Sequence, residues 1–380
     1  MSAAKATIPA KVEDAEEAKL AYYEASQWTL MKRRFSKHKV AVWTTYVIAA
    51  LYILCMNCDF FSFYDPNEFH ENWVNMPPQT LHFGKVEGYS LPRFYVHPCE
   101  RIRNPVTLAE RYYADTSRRV PLQFFVQGRP WKFLWMFETR LHFFGVSEGE
   151  TCFLFGTGQL GQDMFSRVLF GGRISLLVGF TAVFLSFFLG IALGGISGFF
   201  GGKIDMLIQR VAEILMTVPK IPIWLTMAAA IPKGWSSLQS YFVMTLILAC
   251  MGWTSLCRTV RGKLLALREE DYARAAILAG ATQRRVIFVH LIPNFLSHII
   301  ATLTLAIPGM ILSETSLSFL GLGLRPPIVS WGVLLKEAQS GEIVMNQPWL
   351  LIPAVAVILT VLAFNFAGEG LRDAADPYAT

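Results

Sequence analysis

The chain has 380 residues, of which 53% are hydrophobic and only 16% are charged. This balance excludes an ordinary soluble domain and favours an all-α polytopic membrane protein. The formal net charge of +6 does not indicate a nucleic-acid partner, because the lysines and arginines cluster beside apolar stretches, as they do on the cytoplasmic side of membrane proteins.

The N-terminal part predicts a cytoplasmic tail over residues 1–39 and a first transmembrane helix over residues 40–56. The start of the chain is polar and mixed in charge, so no cleavable signal peptide is expected. A basic run without any acidic residue leads into the apolar stretch: Lys32, Arg33, Arg34, Lys37 and Lys39. Because basic clusters stay on the cytoplasmic side, the N-terminus is expected in the cytoplasm.

Residues 57–166 predict an external insert between the first two spans. They are polar, aromatic and proline-rich without a spanning run, and about a hundred residues are too many for a simple linker. Residues 120–126 and 131–137 alternate apolar and polar side chains around residues 127–130, which predicts a β-hairpin within an α+β insert. Cys58, Cys99 and Cys152 fall here, but their spacing selects no disulfide pair.

Five further transmembrane helices are predicted in the core domain, residues 167–380. They are expected over about residues 174–199, 204–231, 241–256, 295–319 and 349–366, and six spans return the C-terminus to the cytoplasm. The second span carries glycines at a spacing of four, which places them on one helix face: Gly190, Gly194, Gly198 and Gly202. This pattern predicts close helix packing rather than a ligand site.

Two acidic residues lie inside predicted spans, Glu213 in the third and Glu314 in the fifth. An acid at membrane depth usually faces the protein interior, so each is interpreted as a pathway residue or a structural one. For Glu213, near a kink expected at Pro219 and Pro222, a structural role that holds Arg210 or another helix is slightly favoured.

The polar, basic stretch between the fourth and fifth spans, residues 257–294, predicts a short helix–turn–helix outside the bilayer. Four residues at i, i+3, i+4 and i+7 share one small helical face: Tyr272, Ala275, Ala276 and Ala279. Gly280 is expected to end this helix. Thr282 can cap a second short helix, which carries Arg284 and Arg285 and stops at Pro293.

This stretch resembles the EAA loop of importer-type ABC permeases. The resemblance rests on Ala275–Ala276, Gly280 and Ile292–Pro293, and the ending at residues 290–294 is similar to the dipeptide/oligopeptide branch. In that family the loop is a coupling helix that docks into a groove of the cytoplasmic ATPase subunit. One position departs from the pattern, because Arg274 stands where the family has a glutamate, and acids stand just upstream instead. The alternative is an ordinary amphipathic surface helix.

Three more segments resemble the same family. Residues 155–180 are similar to the beginning of its transmembrane domain, although Gly158 and Gln162 replace an acid and a base. Residues 317–332 resemble its LSFLGLG, PP and SWG signature, and residues 368–377 resemble its C-terminal ending. The resemblance covers about residues 155–377, and the long external insert is not explained by it.

The resemblance implies a type I ABC importer transmembrane domain of six helices in a bacterial inner membrane, with both termini cytoplasmic. The implied partners are a homologous second permease, two ABC ATPase subunits, a periplasmic solute-binding protein and membrane lipid. No catalytic residue, cofactor or metal is expected in this chain, because ATP and Mg would bind the ATPase subunits. The residues implied for ATPase coupling are Asp271, Tyr272, Arg274, Ala275, Ala276, Gly280, Arg284, Arg285, Ile292 and Pro293.

Peptides are the default cargo implied by the resemblance, and oligosaccharides or opines are the alternative within the same kind of machine. The insert would then contact the solute-binding protein or the partner permease, or it would only cap the external mouth. A rival of another class is an ion-coupled secondary transporter, which predicts broken helices and an inverted repeat. A membrane-embedded hydrolase is the weakest rival, since only isolated ionisable residues occur at membrane depth. Residues 198–205 are not a phosphate-binding loop, because Ile204 replaces its Ser or Thr.

Overall fold

The computed structural model describes residues 27–103, 105, 110–133, 136–147, 149–232, 234–282, 285–291 and 295–375. Within them, the N-terminal and membrane helices are α1 (Gln27–Lys37), α2 (Lys39–Met56), α3 (Cys58–Phe61), α4 (Met164–Phe200), α5 (Gly202–Thr217), α6 (Lys220–Ala229) and α7 (Ser237–Leu267). The C-terminal helices are α8 (Asp271–Leu278), α9 (Leu296–Phe319), α10 (Trp331–Glu337), α11 (Gly341–Asn346) and α12 (Ile352–Ala375).

Five helical segments of the described chain are long and apolar enough to cross a membrane, and a sixth follows if α5 and α6 are counted as one bent span. The five are Lys39–Met56, Met164–Phe200, Ser237–Leu267, Leu296–Phe319 and Pro348–Ala375. The predicted third span, with its expected kink at the prolines, corresponds to α5 and α6, which meet at a bend of 89°. Pro219 explains the break, since its ring forces Val218 out of the helical region and it has no backbone N–H to donate.

Helix α4 is much longer than the predicted second span. It begins at Met164 because Asp163 caps it, accepting a 2.8 Å hydrogen bond from the backbone N–H of Ser166. At 1.5 Å per residue its 37 residues extend about 55 Å, more than the roughly 30 Å of a bilayer core. The first turns of α4 therefore lie beyond the hydrocarbon, on the same side as the insert.

The packing of α4 against α7 forms the centre of the helical bundle. A Cβ atom added at Gly190 would lie 2.9 Å from the Leu256 side chain, and one added at Gly194 would lie 2.6 Å from the Cys257 carbonyl oxygen. Gly198 makes a similarly close approach to α7. Gly202 does not belong to this seam, because it starts α5 with φ +60° and has nothing within 4 Å of its added Cβ.

The insert contains seven strands among its described residues: β1 (His82–Gly84), β2 (Arg93–Val96), β3 (Cys99–Arg103), β4 (Glu110–Ala114), β5 (Val120–Pro121), β6 (Gln123–Phe133) and β7 (Phe137–Gly145). They form a three-stranded sheet in the order β1-β2-β5 and the two antiparallel pairs β3-β4 and β6-β7. Helix is limited here to α3 and one 3-10 turn, Glu71–Trp73, so the described insert is mainly β. All six cysteines are free thiols.

The predicted hairpin exists, but its turn was misplaced. Residues 127–130 do not reverse the chain; they lie inside β6, where the pairing with β7 shifts between Gln127 and Trp131. Three residues of β6 there oppose one of β7, which is a bulge, and glycine and proline are common at such positions. The chain turns instead between Phe133 and Phe137.

Candidate coupling surface

Helix α8, residues Asp271–Leu278, forms the exposed part of the predicted coupling segment. Arg274, at the position where a glutamate is usual, donates a 2.7 Å hydrogen bond to the Glu269 carboxylate, and Arg268 lies 3.2 Å from the other oxygen. The hydrogen bond from Arg274, with that from Arg268, lowers the pKa of Glu269. Glu269, upstream of Arg274, thus supplies an acid next to the position where the family has one. The Arg274–Glu269 pair is exposed and contributes little to stability.

The two sides of α8 differ from the predicted arrangement in part. Tyr272, Ala275 and Ala279 are exposed as predicted for a small docking face. Ala276 instead turns inward and, with the fully buried Ala273, joins the apolar cluster of the bundle.

That apolar cluster connects α8 to the spans. Val260 and Leu264 of α7 and Ile299 of α9 are fully buried in it, and Val286 and Leu291 join it from the turn that follows α8. Helix α8 therefore packs on the turn that follows it, and through Ala273 it shares one apolar cluster with residues of α7 and α9.

Leu278 was not singled out from the sequence, although it is 88% exposed at the end of α8, and Ile277 beside it is 47% exposed. Large apolar side chains that face solvent at a helix end are typical of a surface that another protein covers. The signal in the sequence was an apolar pair directly before the helix-ending glycine.

Gly280 ends the helix as predicted, with φ +80° and a 3.0 Å hydrogen bond from its N–H to the Ile277 carbonyl. Nothing lies within 4 Å of an added Cβ, so glycine is required by the backbone conformation and not by space. The Thr282 hydroxyl accepts a 3.4 Å hydrogen bond from the backbone N–H of Arg285, as expected of a cap. The following turn, Val286–Leu291, is π-helical. Arg284, Ile292 and Pro293 lie outside the described residues.

A polar cluster ties the beginning of this segment to the ends of three helices. Arg261 of α7 donates two hydrogen bonds, both 2.6 Å long, to the Asp205 carboxylate in the first turn of α5. Asp205 also accepts a hydrogen bond from Ser197 near the end of α4, and Arg268 donates a 3.2 Å bond to the Phe199 carbonyl. Sequence reasoning recognised Arg261 only as part of a basic cluster and missed Asp205.

The two acids in the spans have different surroundings. Glu314 is fully buried and accepts hydrogen bonds from the hydroxyls of Ser175, at 2.9 Å, and Ser318, at 2.8 Å. Glu213 is 43% exposed and lies 3.3 Å from Arg210 and 3.4 Å from Arg258. Glu314 is thus enclosed and hydrogen-bonded, as expected of a structural residue. Glu213 lies instead on an exposed face of α5.

A cavity of about 580 Å³ lies at the opposite end of the bundle, lined in part by Gln159, Gln162, Pro327 and Val329. At its wall Arg167, only 3% exposed, donates hydrogen bonds of 2.6 and 2.7 Å to the two carboxylate oxygens of Glu337. This pair joins the residues around 155–167 to those around 317–337. Residues from these two stretches thus form one wall of the cavity. Among the described residues no group of three or more His, Cys, Asp or Glu is arranged to hold a metal ion.

Comparison with known proteins gives consistent matches. Residues 190–379 match the family described as binding-protein-dependent transport system inner membrane component, and residues 26–78 match the N-terminal TM domain of oligopeptide transport permease C. The oligopeptide transport system permease protein OppC of Haemophilus influenzae is 40% identical over 256 residues, which cover 67% of this chain and 80% of the relative.

Two Bacillus subtilis proteins match over 224 residues, or 59% of this chain. They are OppC, 38% identical with 71% of its length covered, and the dipeptide transport system permease protein DppC, 37% identical with 68% covered. A solved structure of the MetNI methionine ABC transporter, inward facing, aligns with a TM-score of 0.45 and 20% identity over 56% of this chain and 98% of that chain, which is too distant to carry an argument. The resemblance inferred from the sequence is confirmed by the family match. This chain belongs to the inner membrane components of binding-protein-dependent transport systems.

Proposed function

We propose that this chain is the permease subunit of an ATP-driven importer that takes up peptides delivered by a binding protein. The observation that carries the proposal is α8, an exposed helix with a large apolar end that packs through Ala273 on the ends of the spans. Peptide as cargo is supported by the names of the relatives, which are oligopeptide and dipeptide permeases. Oligosaccharides or opines remain the alternative cargo.

The proposed assembly contains this chain, a homologous second permease, two ABC ATPase subunits and a periplasmic solute-binding protein. The transmembrane domain would be of the type I importer kind, in a bacterial inner membrane. The basic residues before α2 and around Arg268 support cytoplasmic termini, a cytoplasmic α8 and an external insert. ATP and Mg would bind the ATPase subunits, and this chain would bind no cofactor.

Coupling follows from the contacts of α8. When ATP binding brings two ATPase subunits together, a groove that holds Leu278, Ala275 and Ala279 would displace the helix. Ala273 on its inner side belongs to the apolar cluster that also contains residues of α7, α9 and the turn after α8, so the displacement would reach these spans through that cluster. The Arg261–Asp205 pair extends it to α5. ATP thus shifts the equilibrium between two arrangements of the spans.

The open face of α5 supports a place beside the pathway or the second permease. Ile204, Leu207, Val211 and Ile214 form an exposed apolar stripe at helical spacing. Arg210 and Glu213 are exposed on the same helix, beside Arg258 of α7. Ionisable groups avoid lipid, so this side of the bundle is expected to border a water-filled path or another subunit.

The function is tested by reconstituting the chain with its partners in vesicles and measuring uptake of a labelled peptide. Uptake is expected to require ATP and the binding protein, and to be lost when Leu278 is changed to Arg. Exposed Lys263, changed to Gln, is the matched control and should leave uptake intact. Competition by unlabelled peptides, but not by an oligosaccharide or an opine, would establish the cargo class.

The ion-coupled secondary transporter is favoured by one observation, the broken span α5–α6. Pro219 accounts for this break by itself, and such a transporter would have no use for α8. Uptake driven by an ion gradient in vesicles without any ATPase would establish the rival and overturn the proposal.

A further inference from the structure

The β6–β7 hairpin has one side chain face that is mainly apolar, with Gln127 and Thr139 as its polar residues. In β7, Phe137, Thr139, Leu141 and Phe143 point to one side and Glu138, Arg140, His142 and Phe144 to the other, because successive residues of a strand alternate. Phe133 pairs directly with Phe137 and Trp131 with Thr139, and directly opposed residues share a face. We call the face of Phe125, Trp131, Phe133, Phe137, Leu141 and Phe143 the aromatic face.

The aromatic face is open although it is apolar. Phe125 is 61% exposed, Phe137 63% and Phe133 42%, while Met136 in the turn is 77% exposed. An exposed strip of this kind costs free energy in water, so something apolar is expected to cover it.

The aromatic face continues directly from the membrane-spanning helix α2. Phe60 and Phe61 follow the end of α2 by four and five residues and belong to the short helix α3. The Phe60 ring lies 5.9 Å from Phe143, 6.4 Å from Trp131 and 6.5 Å from Phe125. The hairpin therefore turns its apolar side towards the end of α2, whose own side chains Ile53 and Leu54 are exposed where lipid surrounds a peripheral span.

Charged groups fix the hairpin in this position. Arg129, in the β6 bulge, lies 2.8 Å from Asp65 and 3.3 Å from Asp59, and Asp59 also pairs with Arg173 of α4 at 2.7 Å. The fully buried His142 places its two ring nitrogens 2.8 Å from the Ser62 carbonyl and 3.0 Å from the Arg129 carbonyl. The middle of the hairpin is thus held at the level where α2 and α4 leave the bilayer.

The part of the other face near the turn is suited to water and headgroups, while Phe124 and Phe144 lie on that face farther from the turn. Near the turn it carries Lys132, Glu138 and Arg140, all exposed, and Lys132 lies 3.9 Å from Glu138. A segment with aromatic side chains on one side and charges on the other is typical of structures that lie in the membrane interface, where aromatic rings are enriched.

We propose that the β6–β7 hairpin is a membrane-interface anchor, with its aromatic face against the lipids of the leaflet into which the C-terminal end of α2 projects. The occupant is a lipid surface, since the aromatic face continues the lipid-exposed surface of α2. The anchor gives the long insert a role that the permease resemblance does not supply: it fixes the insert at a defined height over the bundle.

The test compares two adjacent residues on opposite faces of the hairpin. The photo-reactive analogue p-benzoylphenylalanine is placed at Phe137 or at Glu138 of the full-length chain, reconstituted in vesicles of phosphatidylethanolamine and phosphatidylglycerol. After illumination, phospholipid adducts are expected at position 137 and only background at position 138. Equal adduct yields at the two positions, or an adduct to another protein at position 137 when the complete transporter is present, would overturn the proposal.

A second measurement avoids the bulky photo-reactive side chain and uses Trp131 of the aromatic face itself. Quenching of tryptophan fluorescence by phospholipids brominated near the headgroup is compared for the unaltered chain and for Trp131→Phe. The variant is expected to lose a quenchable fraction of the emission, because Trp131 lies on the aromatic face. An unchanged quenched fraction would place Trp131 away from lipid and contradict the anchor, even if the photo-reactive variants fail to fold.

Discussion

Arg261 on α7 and Asp205 at the start of α5 form a two-pronged ion pair in which both hydrogen bonds measure 2.6 Å. Such paired geometry is among the stronger polar contacts in proteins. Arg261 follows Arg258, which borders the open face of α5, by three residues and precedes Arg268 by seven. The pair therefore lies between that open face and the coupling helix. It joins the start of α5 to the part of α7 that leads to α8.

The Arg261–Asp205 pair is expected to transmit work and not to bind nucleotide. Arg261→Lys keeps the positive charge but loses the planar fork that contacts both carboxylate oxygens. We expect less peptide transported per ATP hydrolysed, measured in vesicles with the complete transporter. Lys263→Gln on the same helix is the control. An unchanged ratio for Arg261→Lys would show that the pair only stabilises the fold.

Close packing of α4 on α7 is expected to depend on Gly194. An alanine Cβ there would lie 2.6 Å from the Cys257 carbonyl oxygen, and backbone does not move aside cheaply. Gly194→Ala should destabilise the protein by about 1–3 kcal/mol, as overpacking does. Gly309→Ala is the matched control, since nothing lies within 4 Å of that position, and it should be neutral or slightly stabilising. The midpoint of thermal unfolding in detergent measures both, and equal midpoints would contradict the packing seam.

Sequence patterns predicted the spans well because hydropathy depends on composition, which the membrane constrains directly. A kink at the prolines of the third span was expected, but its angle could not be predicted because hydropathy is insensitive to direction: Val218 and Ile221 are apolar whether the helix continues or bends by 89°.

The turn of the insert hairpin was misplaced for a related reason. Gly128 and Pro130 are favoured in turns and equally in bulges, and only the cross-strand register separates the two. The sequence alone could not predict the ion pairs Arg167–Glu337 and Arg261–Asp205, because the two residues of each pair are 170 and 56 residues apart in the chain. The coupling residues were predicted from the family resemblance, which includes Gly280 but passes over Leu278.

Asp163 is expected to make the stability of the folded protein depend on pH. Burial raises the pKa of its carboxyl from 3.8 to about 6, and hydrogen bonds from Ser166 only partly oppose the effect. Because the folded pKa lies above the unfolded one, this contribution to stability is present below pH 4 and is lost as the pH rises through about 6. Asp163→Asn keeps an oxygen for the helix cap and removes the titration.

Between pH 4 and pH 7 the unfolding midpoint of Asp163→Asn should therefore rise relative to that of the unaltered chain. The free energy of unfolding of the unaltered chain falls by roughly 2–3 kcal/mol at most over this range, since one pKa unit corresponds to about 1.4 kcal/mol. A difference that stays constant over this range would show that the Asp163 carboxyl is not perturbed.

Glu314 is expected to be structural. Glu314→Leu would leave the buried hydroxyls of Ser175 and Ser318 without their acceptor, which costs about 1–3 kcal/mol. Glu314→Gln keeps an acceptor oxygen and should retain most of the stability and the uptake. Thermal midpoints and peptide uptake are measured together for both. A Gln variant that is fully stable but inactive would assign Glu314 to the pathway instead.

The most direct test of the coupling role is cross-linking of α8 to the ATPase. Cysteines replace Leu278, 88% exposed on α8, or Met345, 85% exposed on α11 at the opposite end of the bundle, in a background where Cys250 is Ser. The complete transporter is treated with a short bifunctional thiol reagent. The account predicts a cross-link from Leu278→Cys to an ATPase subunit and none from Met345→Cys. A Leu278→Cys that never cross-links to the ATPase, and that reacts in intact cells with a reagent unable to cross the membrane, would contradict it.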